Sequence, residues 1–477
     1  MSNAAQSKAA ARIEALLDAN SFVEIGRAVT ARSTDFNMAE NKAPSDGVIT
    51  GYGLIDGNPV YVYSQDASVL GGTVGEMHAR KITRLYDLAR KTGAPVVGLL
   101  DCAGIRLQES TDALEAFGEI YMKSTLSSGI IPQITGIFGT CGGGMALLAA
   151  MSDFTFMDEK NGKLFVNSPN ALEGNHVSKR DTSSAEFQSA ETGIVDGCGS
   201  EDEVIAKIRT LVSLLPSNCE DEAFADCDDD LNRVCSDLEA CISDGALALS
   251  RIADGEDFFE TTPAYGRDMV TGFMRLNGAV VGAVANRTVV FDDEGKEAET
   301  FDGTISANGA KKAAAFVTFC DAFGIPVLTL TDASGFKATL CSERHIAQAA
   351  AKLVQAFANA TVPKVNVITG KAYGSAYTVM NSKAIGADAV FAWESAEVGM
   401  MDAAMAAKIM YADKSASEQQ EKAAEYRALQ SGIASAAARG YVDTIIAPSD
   451  TRKYVINAFE MLYTKSEDRP AKKHCSV

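Results

Sequence analysis

Two short glycine turns are the residues of this chain best suited to chemistry. Gly142-Gly143-Gly144 follows an apolar run that begins near Gln133. Gly374-Ser375-Ala376 follows a similar run that begins near Lys364. A strand that ends in glycine just before a helix leaves backbone N–H groups pointing out of the helix N-terminus, where they favour negative charge. Placed against a thioester carbonyl, such groups make an oxyanion hole. Taken singly, each turn reads equally well as a tight strand–helix connection with no ligand. Two turns at matching positions, each with a second glycine (Gly104, Gly335) after a neighbouring strand, strengthen the functional reading.

The other common chemistries have no carrier here. The chain contains no GxxxxGK[ST], no HExxH and no GxSxG segment. His78, His176, His345 and His474 are scattered and read as surface or structural residues. Asp101 and Asp332, at strand ends, read as loop-ordering carboxylates. Ten cysteines form no CxxC pair. Cys219, Cys227, Cys235 and Cys241 cluster at loose spacing with no nearby histidine, so reduced thiols are expected and no metal site. What remains is catalysis by oriented backbone dipoles, without an obvious acid–base pair.

The elements that must position these turns come twice. Pro95 and Pro326 lie 231 residues apart, and Lys81/Lys312, Asp101/Asp332, Gly104/Gly335, Pro132/Pro363, Gly139/Gly370 and Gly143/Gly374 keep the same offset. Looser matches flank them: Ser21–Glu24 with Asp257–Glu260, Tyr52–Gly57 with Phe273–Gly278, and Gly193–Asp196 with Gly440–Asp443. The spacing predicts two domains, 1–225 and 226–477. In the first half it predicts a hairpin (Val48–Leu54, Val60–Gln65), a helix (Thr73–Lys91) and a buried strand (Val96–Leu100) with a glycine loop. A helix (Ala113–Ser127) follows, then a strand (Gln133–Gly139), the glycine turn and a helix from near Met145. Apolar strands of five or six residues alternating with helices indicate an α/β fold with strands buried on both faces. Pro216–Asp244 is acidic and reads as a solvated linker leading into a helix over Leu231–Ile242.

The 477 residues carry a net charge of −20, with 47% hydrophobic and 22% charged residues. This is the composition of a globular protein rather than a disordered one. The acidity argues against nucleic-acid binding and against docking on an anionic membrane. It leaves room for an anionic ligand held locally. Met1–Leu17 has no apolar core of a signal peptide and reads as an amphipathic helix. Ser124–Ser152 is free of charge, but Pro132, Gln133 and the glycines in its middle suit a buried strand and turn better than a spanning helix.

These residues resemble the carboxyltransferase component of biotin-dependent acyl-CoA carboxylases and decarboxylases, the propionyl-CoA carboxylase β and methylmalonyl-CoA decarboxylase α type. The likeness runs from about Ser21 to Leu462. It is strongest at Val60–Asp66, Asp101–Glu109 (DCAGIRLQE), Gly139–Ala146 (GTCGGGMA), Phe316–Pro326, Thr361–Met380 and Arg439–Val442. It implies two tandem crotonase-superfamily domains of ββα units, the first for acyl-CoA and the second for biotin. It also implies a head-to-tail dimer assembled into a homo-hexamer, a trimer of dimers, with the active site between the first domain of one subunit and the second of its partner. The backbone at Gly143 and Gly144 would then stabilise a thioester enolate, and that at Gly374, Ser375 and Ala376 the ureido oxygen of biotin. Thr378 would line the acyl pocket, with Gly104, Arg106 and Gly142 on the CoA side.

The chain has no Met-Lys-Met biotinylation motif, so biotin would arrive on a separate carrier protein. The further partner would be a membrane decarboxylase β subunit or a biotin carboxylase, and the chain cytoplasmic, peripheral to the membrane in the first case. Decarboxylation of methylmalonyl-CoA or malonyl-CoA in a sodium-pump complex is the leading expectation. A carboxylase β subunit is the alternative, with an altered scaffold or a biotin-independent hydratase behind it. Departures from the family pattern are Ser375 for glycine, Ala333-Ser334-Gly335-Phe336 for Val-Pro-Gly-Phe, Asp402 for glycine, and the stretch near Phe187-Gln188-Ser189.

Overall fold

A computed structural model describes residues 7–33, 35–40, 43–292 and 294–468. His474 lies outside these residues. The chain divides into two compact units, Met1–Ala223 and Phe224–Val477.

In the first unit, β1 (Val23–Ile25), β2 (Val48–Ile55) and β3 (Asn58–Gln65) run antiparallel. Parallel strands β4 (Val96–Cys102), β5 (Gln133–Gly142), β6 (Phe154–Asp158) and β8 (Gly197–Gly199) continue the sheet, and β7 (Lys163–Phe165) pairs with the far end of β5. The helices Glu76–Thr92 and Ser110–Ser127 make the crossovers. The first begins on Glu76, buries Ile82, Leu85, Tyr86 and Ala89, and ends on Arg90 and Lys91 with Gly93 in the left-handed conformation. Acid first, base last and a left-handed glycine cap are the physical signature of a helix with both termini satisfied.

The second unit repeats this order. β9 (Phe258–Thr261), β10 (Met269–Leu276) and β11 (Ala279–Asn286) are antiparallel. A side hairpin, β12 (Val289–Phe291) and β13 (Glu297–Thr300), follows, and a short parallel pair, β14 (Thr304–Ile305) and β16 (Gly335–Phe336), flanks the site. The parallel strands are β15 (Val327–Ala333), β17 (Lys364–Tyr373), β18 (Ala389–Trp393) and β20 (Thr444–Ile446), with β19 (Glu397–Gly399) on the far end of β17.

The duplication reaches single hydrogen bonds. Asp153 accepts the Gln133 N–H at 2.8 Å, and Asp388 accepts the Lys364 N–H at 2.8 Å. Asp196 accepts the Thr155 N–H at 2.7 Å, and Asp443 the Val390 N–H at 2.8 Å. Lys81 donates to the carbonyls of Ser45 and Val48, and Lys312 to those of Thr262, Tyr265 and Met269. Each buried ammonium ties the crossover helix to the start of its hairpin.

Two local expectations change. Over Leu231–Ile242 only Leu238–Cys241 is helical. The preceding residues are held open instead: the Cys235 N–H donates to the Ser449 carbonyl, and Arg233 reaches the carbonyls of Arg251 and Ala253. The acidic stretch is also not merely solvated, because Asp229 pairs with Arg233 and with the buried Arg452. The uncharged stretch 124–152 is the end of one helix, β5, and the helix Gly144–Met151. No helix among the described residues is long and apolar enough to cross a membrane.

Candidate active site

In the first unit, β4 and β5 end side by side. The ladder shifts register between Leu100 and Cys102, so that Cys102 comes to face Cys141. Such a bulge re-aims the residues after it, here toward Gly104 on one strand and Gly142 on the other. A Cβ at Gly104 would meet only the Gly142 carbonyl, 3.9 Å away, so the two turns border one recess. Gly143 has φ +61 and caps the helix Gly144–Met151, with open space where a side chain would stand. Its own N–H is spent on the Phe165 carbonyl of β7 at 2.9 Å. The N–H groups of Gly144 and Met145, first in the helix, have no acceptor within it by position. Tyr121 donates to the Gly144 carbonyl at 2.7 Å, and a Cβ at Gly144 would strike Phe117 and Tyr121.

Arg106 does not face the recess. Its side chain is 1% exposed, and Nη1 reaches Asp46 at 2.6 Å and Glu109 at 2.7 Å. Nη2 donates to the Thr73 carbonyl at 2.9 Å. Glu109 and Asp46 in turn accept the Glu76 and His78 N–H groups, closing the N-terminus of the helix Glu76–Thr92. One guanidinium thus fastens the Gly104 loop to a helix end. Burial pushes the Asp46 carboxyl upward, against the pull of Arg106. Burial, and then repulsion by Arg106, drops His78 to about 3, so its ring is neutral. His78 Nε2 lies 3.2 Å from the Gln65 amide, and the Gln65 Oε1 accepts the Asp101 N–H at 3.2 Å.

In the second unit the register again shifts between Thr331 and Ala333, and Gly374 has φ +58. Gly374 is therefore the counterpart of Gly143, which makes Ser375 the counterpart of Gly144 and Ala376 that of Met145. Ser375 is exposed and Ala376 buried. Thr378 is half-buried, one turn further along, with its hydroxyl 3.5 Å from the Gly374 carbonyl. Tyr373 donates to Glu397, which also pairs with Arg427 at 2.7 Å. Asp402 spends its carboxylate on its own helix, accepting the N–H groups of Ala404 at 2.9 Å and Met405 at 3.2 Å. Lys337, the counterpart of Arg106, reaches Asp302 at 3.5 Å at the surface.

The structure therefore brings Gly104, Gly142, Gly143 and Gly144 together in one unit, and Gly374, Ser375, Ala376 and Thr378 in the other. It adds Asp46, Glu109 and Tyr121 to the residues that shape the first recess. Glu109 follows Arg106 by three residues, but nothing local signals Asp46, which is 60 positions away from Arg106. No group of three or more histidine, cysteine or acidic side chains among the described residues is arranged to hold a metal.

Residues 3–477 match the carboxyl transferase domain. The chain belongs to the carboxyl transferase family. It is 38% identical to the methylmalonyl-CoA decarboxylase subunit alpha of Propionigenium modestum, over 98% of this chain and 92% of that protein. It is 41% identical, with the same coverage, to a putative propionyl-CoA carboxylase beta chain of Bacillus subtilis. The transcarboxylase 12S structure, a hexamer with hydrolysed methylmalonyl-coenzyme A bound, superposes with a TM-score of 0.92 at 35% identity, covering 99% of this chain and 92% of that one. The fold is thus the crotonase-like one, twice, and the chain is an enzyme of the carboxyltransferase and decarboxylase class.

Proposed function

We propose that this carboxyl transferase moves a carboxyl group between a short-chain acyl-CoA and biotin held on a separate carrier protein. In the leading reading it decarboxylates methylmalonyl-CoA or malonyl-CoA within a sodium-pump complex. The observation that carries the reading is the matched pair of positive-φ glycines, Gly143 and Gly374, at the ends of corresponding strands. The first unit takes the acyl-CoA, whose enolate oxygen meets the N–H groups at Gly144 and Met145. The second unit takes biotin. The residues there fit such a group: Gly374 lacks a side chain, a Cβ at that position would meet only the Met400 carbonyl at 3.2 Å, and Ser375 is exposed. When bound, biotin supplies the nitrogen that carries the carboxyl group. The chain's own contribution is to orient the thioester, exclude water and hold the developing negative charge.

A propionyl-CoA carboxylase β role is the second reading, favoured by relatives of that name at 38–41% identity. The partner is a membrane decarboxylase subunit in the first case and a biotin carboxylase in the second. In either, the chain is cytoplasmic, acts with a biotin carboxyl carrier protein, and assembles as a homo-hexamer.

The test is to incubate the chain with malonyl-, methylmalonyl- and glutaconyl-CoA, with and without free biotin or the carrier, and to follow each thioester by mass spectrometry. Biotin-dependent loss of one substrate is expected and names the acyl group. Loss of none, with the carrier present, overturns the reading.

A further inference from the structure

Asp101 and Asp332 occupy the same place in the two units, but only one of them is locked by a buried arginine. Arg12 comes from the helix Lys8–Leu16. Its side chain is 2% exposed and its Nη1 reaches Asp101 at 3.2 Å. Nε and Nη2 hold Glu201 at 3.0 and 3.3 Å, and the guanidinium lies 4.9 Å from the centre of the Phe138 ring. Asp101 is the residue at the register shift of β4. Its carboxylate presses on the neighbouring strand: a Cβ at Gly139 would stand 2.1 Å from Oδ1. The carboxylate therefore touches both strands just before they leave for Gly104 and for Gly143.

Asp332 makes the corresponding contact with Gly370, where a Cβ would stand 2.6 Å from Oδ1, and accepts the Lys371 N–H at 2.7 Å. Among the described residues it makes no ion pair, and burial raises its pKa. The repeat thus keeps the carboxylate and differs in the cation. A charge-assisted pair with a planar, forked donor fixes direction as well as distance.

We propose that Arg12 is a positioning residue: by locking the Asp101 carboxylate across the ends of β4 and β5, it holds the first unit's glycine recess in its working geometry. Arg12 does not touch substrate. Its effect on rate rests on the function proposed above, but its effect on the recess does not. Backbone donors aimed at a developing charge matter most in the transition state, so a slackened recess lowers kcat more than it raises KM.

Arg12→Met and Asp101→Asn each remove the lock, and the second leaves Arg12 on Glu201 should the first fail to fold. Two readouts apply. In hydrogen–deuterium exchange, both variants should exchange faster over residues 102–106 and 139–146 than the parent, with residues 364–380 unchanged. In steady-state assays with the acyl-CoA and carrier, kcat should fall about tenfold to a hundredfold with KM little changed, and the double variant should be no worse than either single one. Parent-like exchange in both segments for either folded variant overturns the inference, whether or not the enzyme turns over. So does faster exchange with an unaltered kcat. A parent enzyme that turns over nothing, while the variants show the exchange change, overturns the proposed function and leaves the lock standing.

Discussion

At the scale of the residue, the site depends on what glycine allows at two positions. A β-branched residue at φ +61 is strained by about 1–3 kcal/mol, and its side chain would fill the open space beside Gly143. Gly143→Val should therefore leave the unit folded and lower kcat by about a hundredfold or more, the loss seen when an oxyanion donor is displaced. Wild-type turnover in a folded Gly143→Val enzyme removes this turn from the mechanism. Thr378 shares a helix face with Gly374, since positions four apart lie one above the other. Thr378→Asp should reorder the preference among acetyl-, propionyl- and butyryl-type thioesters more than it alters biotin dependence, and an unchanged ranking in competition assays would reject it as a pocket residue. The glycines are legible in the sequence because their spacing repeats. Arg106 is legible only as a charge near the loop. That it faces inward depends on nearby Glu109 and also on Asp46, and a partner 60 positions away leaves no periodic trace. Asp402 reads as an intrusion in the sequence, but two helical N–H groups account for it.

At the scale of the element, the two units handle one carboxylate differently. Asp388 has the Lys465 ammonium at 2.8 Å. Asp153, its counterpart, makes no ion pair among the described residues, and burial pushes it up to about 7 with help from nearby Asp196. A carboxyl that stays protonated in the fold but ionises near 3.8 when unfolded favours folding fully at low pH. That contribution is lost as pH rises from about 4 to about 7. Asp153→Asn can still accept the Gln133 N–H. It should be neutral for stability at pH 4 and stabilising on the order of 4 kcal/mol at pH 8, read from denaturant unfolding at the two values. An equal effect at both would reject the account. Strand and helix identities follow from hydropathy period, and their ends move by a few residues because caps and bulges decide them. The strand before Gly143 runs to Gly142 rather than Gly139 because its last residues pair with β7. The helix expected over Leu231–Ile242 shortens because Arg233 binds the carbonyl of Arg251, Cys235 that of Ser449, and Arg452 the carbonyl of Asp230.

At the scale of the molecule, the duplication is the most legible feature, since a constant offset needs no knowledge of contacts. Assembly is not, because it is written on surfaces. The helix Ser110–Ser127 presents Leu114, Met122 and Leu126 to solvent at four- and eight-residue spacing, with an exposed Gly118 between them. An apolar stripe around a glycine suits close approach of another helix. It is the predicted subunit contact of the hexamer proposed above. Leu114→Glu with Met122→Glu should reduce the mass found by light scattering without loss of helical signal. A hexameric mass in that variant would take the stripe out of the interface.

The two buried lysines that brace the hairpins, Lys81 and Lys312, have a consequence for the life of such a protein in the presence of its own substrate. Thioesters acylate free amines without help, and an amine with a lowered pKa is the better nucleophile. Lys81, brought down to about 8 by burial, would be an early victim if it were open to solvent. It is 6% exposed, as is Lys312, and both amines are bonded to backbone carbonyls. Chemical ageing then falls on the outer lysines, while the two that brace the hairpins stay unmodified for as long as the fold holds.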